Sequence, residues 1–275
     1  NPVFPTQTLF YWGEHYAKSY RAHRIETLLQ KTPKHSLKTM RNIQHDIHVP
    51  DAALYLDLMI KGLSPTAQKK YASLLQILRT WNRRASLNQV GPTLFRTWFV
   101  NLQHLFFQKQ KWIPTQDIIA KLLHHTFQPK NFTLQQLLEQ SLQKTQAQLT
   151  KALGPSHSTW TWKRYHFVRF RHLSRNPVWH PPQQPIAGDE ETVYVAPSKG
   201  KGPFYASVTP SYQFLIELRP GKVRSWGVLA GKQQDHKPDQ LSKQQKLWLK
   251  QQYRSRPFYK QEVKQASRKT FVLKP

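Results

Sequence analysis

The hydrophobic period of this chain changes once, at Gly154-Pro155, so the sequence on the two sides must fold in different ways. Before that point the apolar residues recur at helical spacing. From about Glu14 to Lys31 the series is Tyr16, Tyr20, Ile25, Leu28 and Leu29, and Thr32-Pro33 ends it. Ser36, followed by Thr39 and Met40, marks a second helix start, and Pro50-Asp51 a third, which carries Leu54, Leu56, Leu58, Met59 and Ile60. After Gly62 and Ser64-Pro65 the spacing predicts one long helix to Trp81, with Tyr71, Leu74, Leu75 and Leu78 on one stripe. Gly91-Pro92 opens another, with Leu94, Phe95, Trp98, Phe99, Leu102 and Leu105 at core spacing. Two more are expected near 115–126 and 133–153.

Past Gly154 the texture is that of strands. Trp160–Leu173 alternates with a period of two, and 178–187 is Pro-rich and irregular. Glu191–Ala196, Phe204–Val208 and Tyr212–Leu218 read as short strands, and 239–252 as a helix. The fold class is α+β. The expected division is a mainly helical lobe, 1–153, and a mixed strand and helix part, 154–275. The Gln-rich stretches 134–148 and 240–252 keep their leucines in helical phase, so they are polar helix faces.

Composition narrows the function classes. The 9 Trp, 11 Tyr and 14 Phe in 275 residues belong to a folded chain. Cysteine is absent, which excludes disulfides, thiolate catalysis and Cys-based zinc sites. No apolar run approaches the roughly 20 residues of a transmembrane helix. The 42 Lys+Arg against 14 Asp+Glu give a net charge of +28, which attracts anything anionic. The densest basic cluster, Trp162 to Arg171, interleaves aromatic and basic residues. It reads as a nucleic-acid strand or groove, or as an amphipathic strand with one basic face; the period of two favours the strand. The pairs His15 and His23, His45 and His48, and His124 and His125 lack a matched carboxylate at metal-site spacing, so no metal site is assigned in this chain. Asp189-Glu190-Glu191 reads as a solvated turn. Ser211 and Ser225 have no base near them in sequence.

Several separated blocks, taken in order, resemble one family, the penicillin acylases. These are N-terminal-nucleophile hydrolases that also include cephalosporin and acyl-homoserine-lactone acylases. Tyr20-Arg21-Ala22-His23-Arg24-Ile25 resembles the family's Arg-Ala-x-Arg-Ile block, and Met40 to Asp46 its Met-x-x-Leu-Gln-x-Asp helix. Leu78 to Asn82 and Leu94 to Trp98 look like its Leu-x-x-Trp-Asp-Gly turn and the helix behind it. Trp160-Thr161-Trp162 through His166 is similar to its Trp-x-Trp-Gly strand, and Gly188-Asp189-Glu190-Glu191-Thr192-Val193 to its Gly-Asp-x-x-Thr-Val. Pro210-Ser211-Tyr212, Gly231, Gln244 and Trp248 keep the spacing of its last elements. The departures replace turn glycines and acidic residues: Lys163 and Arg83 stand for Gly, Asn82 and Lys243 for Asp, Gln233-Gln234 for Ser-Gly, and Gln213 for Arg.

The resemblance implies a four-layer αββα fold, of which this chain supplies the C-terminal part of the β-subunit. It implies hydrolysis of a linear amide by a Ser, Thr or Cys freed at a new N-terminus, whose α-amine serves as base. The chain starts with Asn1-Pro2, so the expected nucleophile lies in an upstream β-subunit segment. Asn1 is expected to be the family's oxyanion Asn or its neighbour, and Arg21 the arginine that orients that Asn and the substrate side of the cleft. The implied partners are a small-molecule N-acyl substrate, the α-subunit and the upstream segment of the same precursor, in the bacterial periplasm. No cofactor is expected in this chain; calcium is left to the full-length protein. Two other readings stay open: a family member that has lost catalysis, and a basic nucleic-acid-binding protein.

Overall fold

The computed structural model describes residues 20–110, 116–129, 131–232, 237 and 239–267. Its helices are α1 Tyr20–Gln30, α2 Leu37–Gln44, α3 Pro50–Lys61, α4 Pro65–Lys70, α5 Ala72–Thr80, α6 Gly91–Gln110, α7 Gln116–Leu123, α8 Leu134–Leu153, α9 Lys243–Leu249 and α10 Lys260–Ala266. The strands are β1 His166–Val168, β2 Gln184–Pro185, β3 Ser198–Lys199, β4 Phe204–Ala206, β5 Tyr212–Arg219, β6 Lys222–Leu229 and β7 Arg254–Arg256. They form two sheets, in the orders β2-β1-β4-β3 and β5-β6-β7. The architecture is α+β.

Helix starts follow local chemistry. Ser36 caps α2, Thr133 caps α8 and Ser242 caps α9, each in a reciprocal capping box with the residue three positions on. The expected long helix to Trp81 is two helices. Tyr71, buried at 3 % exposure, ends α4 and starts α5 with non-helical backbone, and it keeps its ring in the core. The expected strand over Trp160–Leu173 is also corrected. Single turns of 3-10 helix occupy His157–Thr159 and Trp162–Arg164, and only His166–Val168 is strand. The alternation is real, but burial rather than sheet pairing produces it: Trp160, Trp162, Tyr165, His166 and Val168 are all buried. Glu191–Ala196 is turn and coil, whereas β6, β7 and α10 carry no clear sequence signal.

The chain forms two compact units, each taking pieces from both sides of Gly154. One comprises 1–28, 46–169 and 183–209; the other comprises 29–45, 170–182 and 210–275. In the first unit, α3, α4, α5, α6, α7 and α8 bury one continuous apolar cluster that includes Leu56, Met59, Leu74, Phe95, Trp98, Phe99, Leu138 and Leu142. Trp98 donates its indole N–H to Ser141 Oγ at 2.9 Å, so its polar atom is satisfied inside that core. In the second unit, β5 and β6 form a regular antiparallel hairpin, and α2 and α9 pack on it.

Candidate functional site

The family-like blocks of the first unit converge on two ion-paired centres. One lies at α1. That helix has no buried residue, so apolar packing does little to hold it. Polar contacts hold it instead. Tyr20 and Tyr55 share a hydroxyl–hydroxyl hydrogen bond of 2.6 Å, and burial, then that bond, pushes the Tyr20 phenol above its ordinary pKa. Arg24 forms a fork on Asp46, Nε to Oδ1 at 3.1 Å and Nη2 to Oδ2 at 2.9 Å. The Asp46 carboxylate also accepts the His48 N–H at 3.1 Å and pairs with Arg84 at 3.5 Å. Burial alone would raise the Asp46 pKa; the Arg24 fork, the His48 N–H and Arg84 together hold it below the usual carboxylate range. The Asp46 carbonyl accepts the Tyr194 N–H at 2.9 Å, which ties the same residue to the turn after Gly188.

Arg21 projects from the first turn of α1 and is exposed. Its Nη2 donates to the Val193 carbonyl at 3.4 Å, the one hydrogen bond it makes among the described residues. Among the described residues no further hydrogen bond takes its four other N–H groups. Asn1 lies outside the described residues, as does the stretch between it and α1.

The second centre is buried. Arg96 of α6 pairs with Asp51 in the first turn of α3 at 2.9 Å and with Asp189 at 2.7 Å, and its Nε donates to Asp189 at 2.8 Å. Asp189 is 1 % exposed, so the acidic run is not wholly a solvated turn: Glu190 and Glu191 lie in a turn, Glu190 exposed, but Asp189 turns into the core. The family-like Gly188-Asp189 is a core tie. The reason is local: Gly188 has φ 85°, and a Cβ there would collide with the Tyr194 carbonyl. Thr192 Oγ1 accepts the Asp189 N–H at 2.9 Å and closes the turn. The indole of Trp162 donates to the Gly188 carbonyl at 3.0 Å. Burial raises the pKa of Asp51 and partial desolvation that of Glu190, while on Arg96 the downward effect of burial is outweighed by Asp189 and Asp51, which keep it cationic. These carboxylates face a guanidinium, so they make no cage for calcium. Among the described residues no three His, Asp or Glu come together as metal ligands.

His166 lies between two backbone carbonyls, Nδ1 at 2.8 Å from Ile186 O and Nε2 at 3.1 Å from Ala196 O, and stacks on Trp162 at 4.3 Å. Burial lowers its pKa. Trp162 and Tyr165 are interior too, so these two rings of the basic segment offer no open face for stacking bases, while Phe167 and Phe170 are half-buried. Two departures from the family pattern are compensated in place. Arg83 stands where the family turn has Gly and keeps the left-handed backbone, φ 58°. Its guanidinium donates to the Leu78 and Trp81 carbonyls at 2.6 and 2.7 Å and pairs with Asp57 at 3.1 Å. Asn82 accepts the Arg84 N–H at 3.1 Å, as an Asp would. Sequence reading missed the joint role of Arg24 and Asp46; the signal was there, because Arg24 is the second arginine of one family-like block and Asp46 the acidic residue that closes the next.

Comparison with known proteins bears on the family and the fold. No curated protein matches the chain. Among solved structures, a thermostable penicillin G acylase from Alcaligenes faecalis matches with a TM-score of 0.57 at 13% identity, over 100% of this chain and 56% of its own. This chain thus spans little more than half the length of that protein, and the likeness is one of fold. The penicillin amidase family matches residues 1–265, nearly the whole sequence. On that match the chain belongs to the penicillin amidase family.

Proposed function

We propose that the chain is the C-terminal part of the β-subunit of an amidohydrolase that cleaves a linear amide by N-terminal-nucleophile acyl transfer. The observation that carries this reading is the interlocking of α1 with Asp46, from which the exposed Arg21 projects with one long hydrogen bond among the described residues. In this reading the nucleophile's hydroxyl, supplied by the upstream segment, adds to the amide carbonyl as its proton passes to the α-amine. Asn1 or its neighbour donates to the oxyanion, and Arg21 orients that Asn and the acyl side of the substrate. The protonated α-amine gives that proton to the departing amine as the C–N bond breaks, and water then adds to the acyl-enzyme, releasing the acid and restoring the hydroxyl.

A second feature supports an incomplete core. The outward face of β5 shows Tyr212, Phe214, Ile216 and Leu218, 40–72% exposed, and β5 is an edge of its sheet. The upstream segment of the same precursor is the proposed cover. A periplasmic location and calcium binding by the full-length protein belong to the same proposal. No described helix is long and apolar enough to cross a membrane. The catalytically silent homologue is the alternative, favoured by the replaced turn residues Arg83 and Lys163.

The test is to express the full-length precursor, follow self-cleavage by mass spectrometry, and assay N-acyl amines and acyl-homoserine lactones. Cleavage with turnover is the expected result, with residues 1–275 alone inert and prone to aggregate. An uncleaved, inert precursor would move the reading to the silent homologue. Turnover by residues 1–275 alone would overturn the missing nucleophile.

A further inference from the structure

We infer that Asp46 is a positioning residue: acting through Arg24, it fixes where α1 presents Arg21. The inference rests on the proposed role of Arg21 for its catalytic consequence, but the anchoring itself stands on geometry alone. α1 buries no residue, so its placement depends on directional contacts. Among the described contacts of α1, the Arg24–Asp46 fork is bidentate and charge-paired, and its carboxylate is only 7% exposed against 25% for the Arg24 side chain. The fixed end of the pair is therefore Asp46. Its backbone explains the rigidity. Val49 N–H donates to Arg83 O at 2.8 Å and Ala85 N–H to Ile47 O at 2.9 Å, which sew the segment after Asp46 to the loop before α6. Tyr194 N–H on the Asp46 carbonyl extends the tie to the residue after Val193, the acceptor of Arg21. One carboxylate thus sets α1, and one carbonyl of the same residue sets the turn on which Arg21 rests.

Arg24 lies three residues after Arg21, nearly one helical turn, so the two guanidinium groups leave the same side of α1. A tilt of α1 about a broken Arg24–Asp46 pair would displace Arg21 with it. The loss is one of orientation, and it should appear in kcat more than in KM.

The experiment uses the full-length precursor with Asp46→Asn, Asp46→Glu, Arg24→Gln and, as a control of the same charge change elsewhere, Asp57→Asn. Two readouts are taken: kcat and KM on whichever amide the wild type turns over, and amide hydrogen exchange across 20–28. For Asp46→Asn and Arg24→Gln, kcat should fall roughly 10- to 100-fold with KM changed less than about threefold. Exchange across 20–28 should rise by a similar factor while that of α6 and α8 stays the same. Asp46→Glu should recover part of both, and Asp57→Asn should change neither. Unchanged exchange in Asp46→Asn would overturn the anchoring, whether or not the wild type is active. Faster exchange with unchanged kcat would overturn the positioning role while leaving the amidase reading in place. An inert wild type would sink the amidase reading and leave the exchange data to decide the anchor.

Discussion

The two units solve the problem of staying folded in different ways. The first holds a continuous apolar cluster drawn from six helices, α3 to α8, and it places a charged triad inside it. In the second, the buried apolar side chains among those described are Ile43, Pro181, Leu215, Val228 and Trp248. The second unit also carries more charge for its size: 21 Lys+Arg and 4 Asp+Glu, against 21 and 10 in the larger first unit. A small core and a strongly basic surface both weaken a compact state. The difference teaches where each unit is vulnerable. The first depends on the pairing of what it buries; the second depends on single large side chains.

The largest effect should come from the first unit's triad. Arg96→Met removes the cation that pairs with both Asp51 and Asp189, two buried carboxylates. Leaving them unpaired should cost about 3–5 kcal/mol in denaturant unfolding. The matching change in the second unit is Glu217→Gln, which breaks exposed pairs with Arg219 and Arg224. It should leave unfolding unchanged. Equal losses from the two variants would break the comparison.

Next is Trp248→Ala. The indole donates to the Pro210 carbonyl at 2.8 Å, and the ring meets Phe170 edge-on at 5.9 Å. Deleting one of so few buried side chains should cost about 3 kcal/mol and open the second unit to protease between 210 and 267. Core amides of α6 and α8 should keep their exchange protection. Loss of protection in α6 or α8 would show that stability is not local to the unit.

These two sites also mark how much could be read from the amino acids. The helices of the first unit were legible because their apolar residues keep a 3.6-residue period over long stretches, as in α6 and α8. Two strands were legible as well, Phe204–Val208 as β4 and Tyr212–Leu218 as β5; the others were not, because most have only two or three residues, too few for a period to show. Trp160 to Val168 alternates, yet it is mostly turn, since burial on one side imitates a sheet. Lys222–Leu229 has Lys, Arg, Ser and Gly where a strand pattern would want apolar residues; its pairing with β5 comes from the whole hairpin. At the candidate site, Arg21 was singled out through its block, and its role is a proposal. The burial of Asp189 was not, because an acidic triplet after Gly looks like a turn until Arg96, 93 residues away, is placed beside it.

A smaller effect is expected from pH, and it belongs to the second unit. Burial pushes the His45 pKa down to about 4 from 6.5, against a hydrogen bond with Gln213. The folded state therefore binds this proton less readily than the unfolded state. Its contribution is present above about pH 6.5 and is lost as pH falls toward 4. The ring is only partly buried, so the loss should be held to roughly 1–2 kcal/mol. Local exchange of β5 and β6 measured from pH 7.5 to 4.5 should rise along this window, and His45→Gln should flatten the rise. A rise of the same size in His45→Gln would assign it to other groups.

The smallest effect concerns the positive charge. If Trp162 and Tyr165 are core residues, any attraction to nucleic acid comes from counterion release, and that counts charges without regard to sequence or fold. Two triple variants test this: Lys163, Arg164 and Arg169 changed to Gln in the first unit, and Lys246, Lys250 and Arg254 changed to Gln in the second. A random duplex titrated against each should bind weakly at low salt and hardly at all near physiological salt. Each variant should lower the salt slope by a similar small amount, at most about 0.9 for each phosphate that is no longer neutralised. The denser charge of the second unit gives its variant the larger share if the two differ. A loss confined to the first triple, with binding that survives salt, would mean that the basic segment at 162–171 is a built site after all. The burial of Trp162 and Tyr165 argues against that outcome: stacking needs an open π-face, and Trp162 already gives its face to His166.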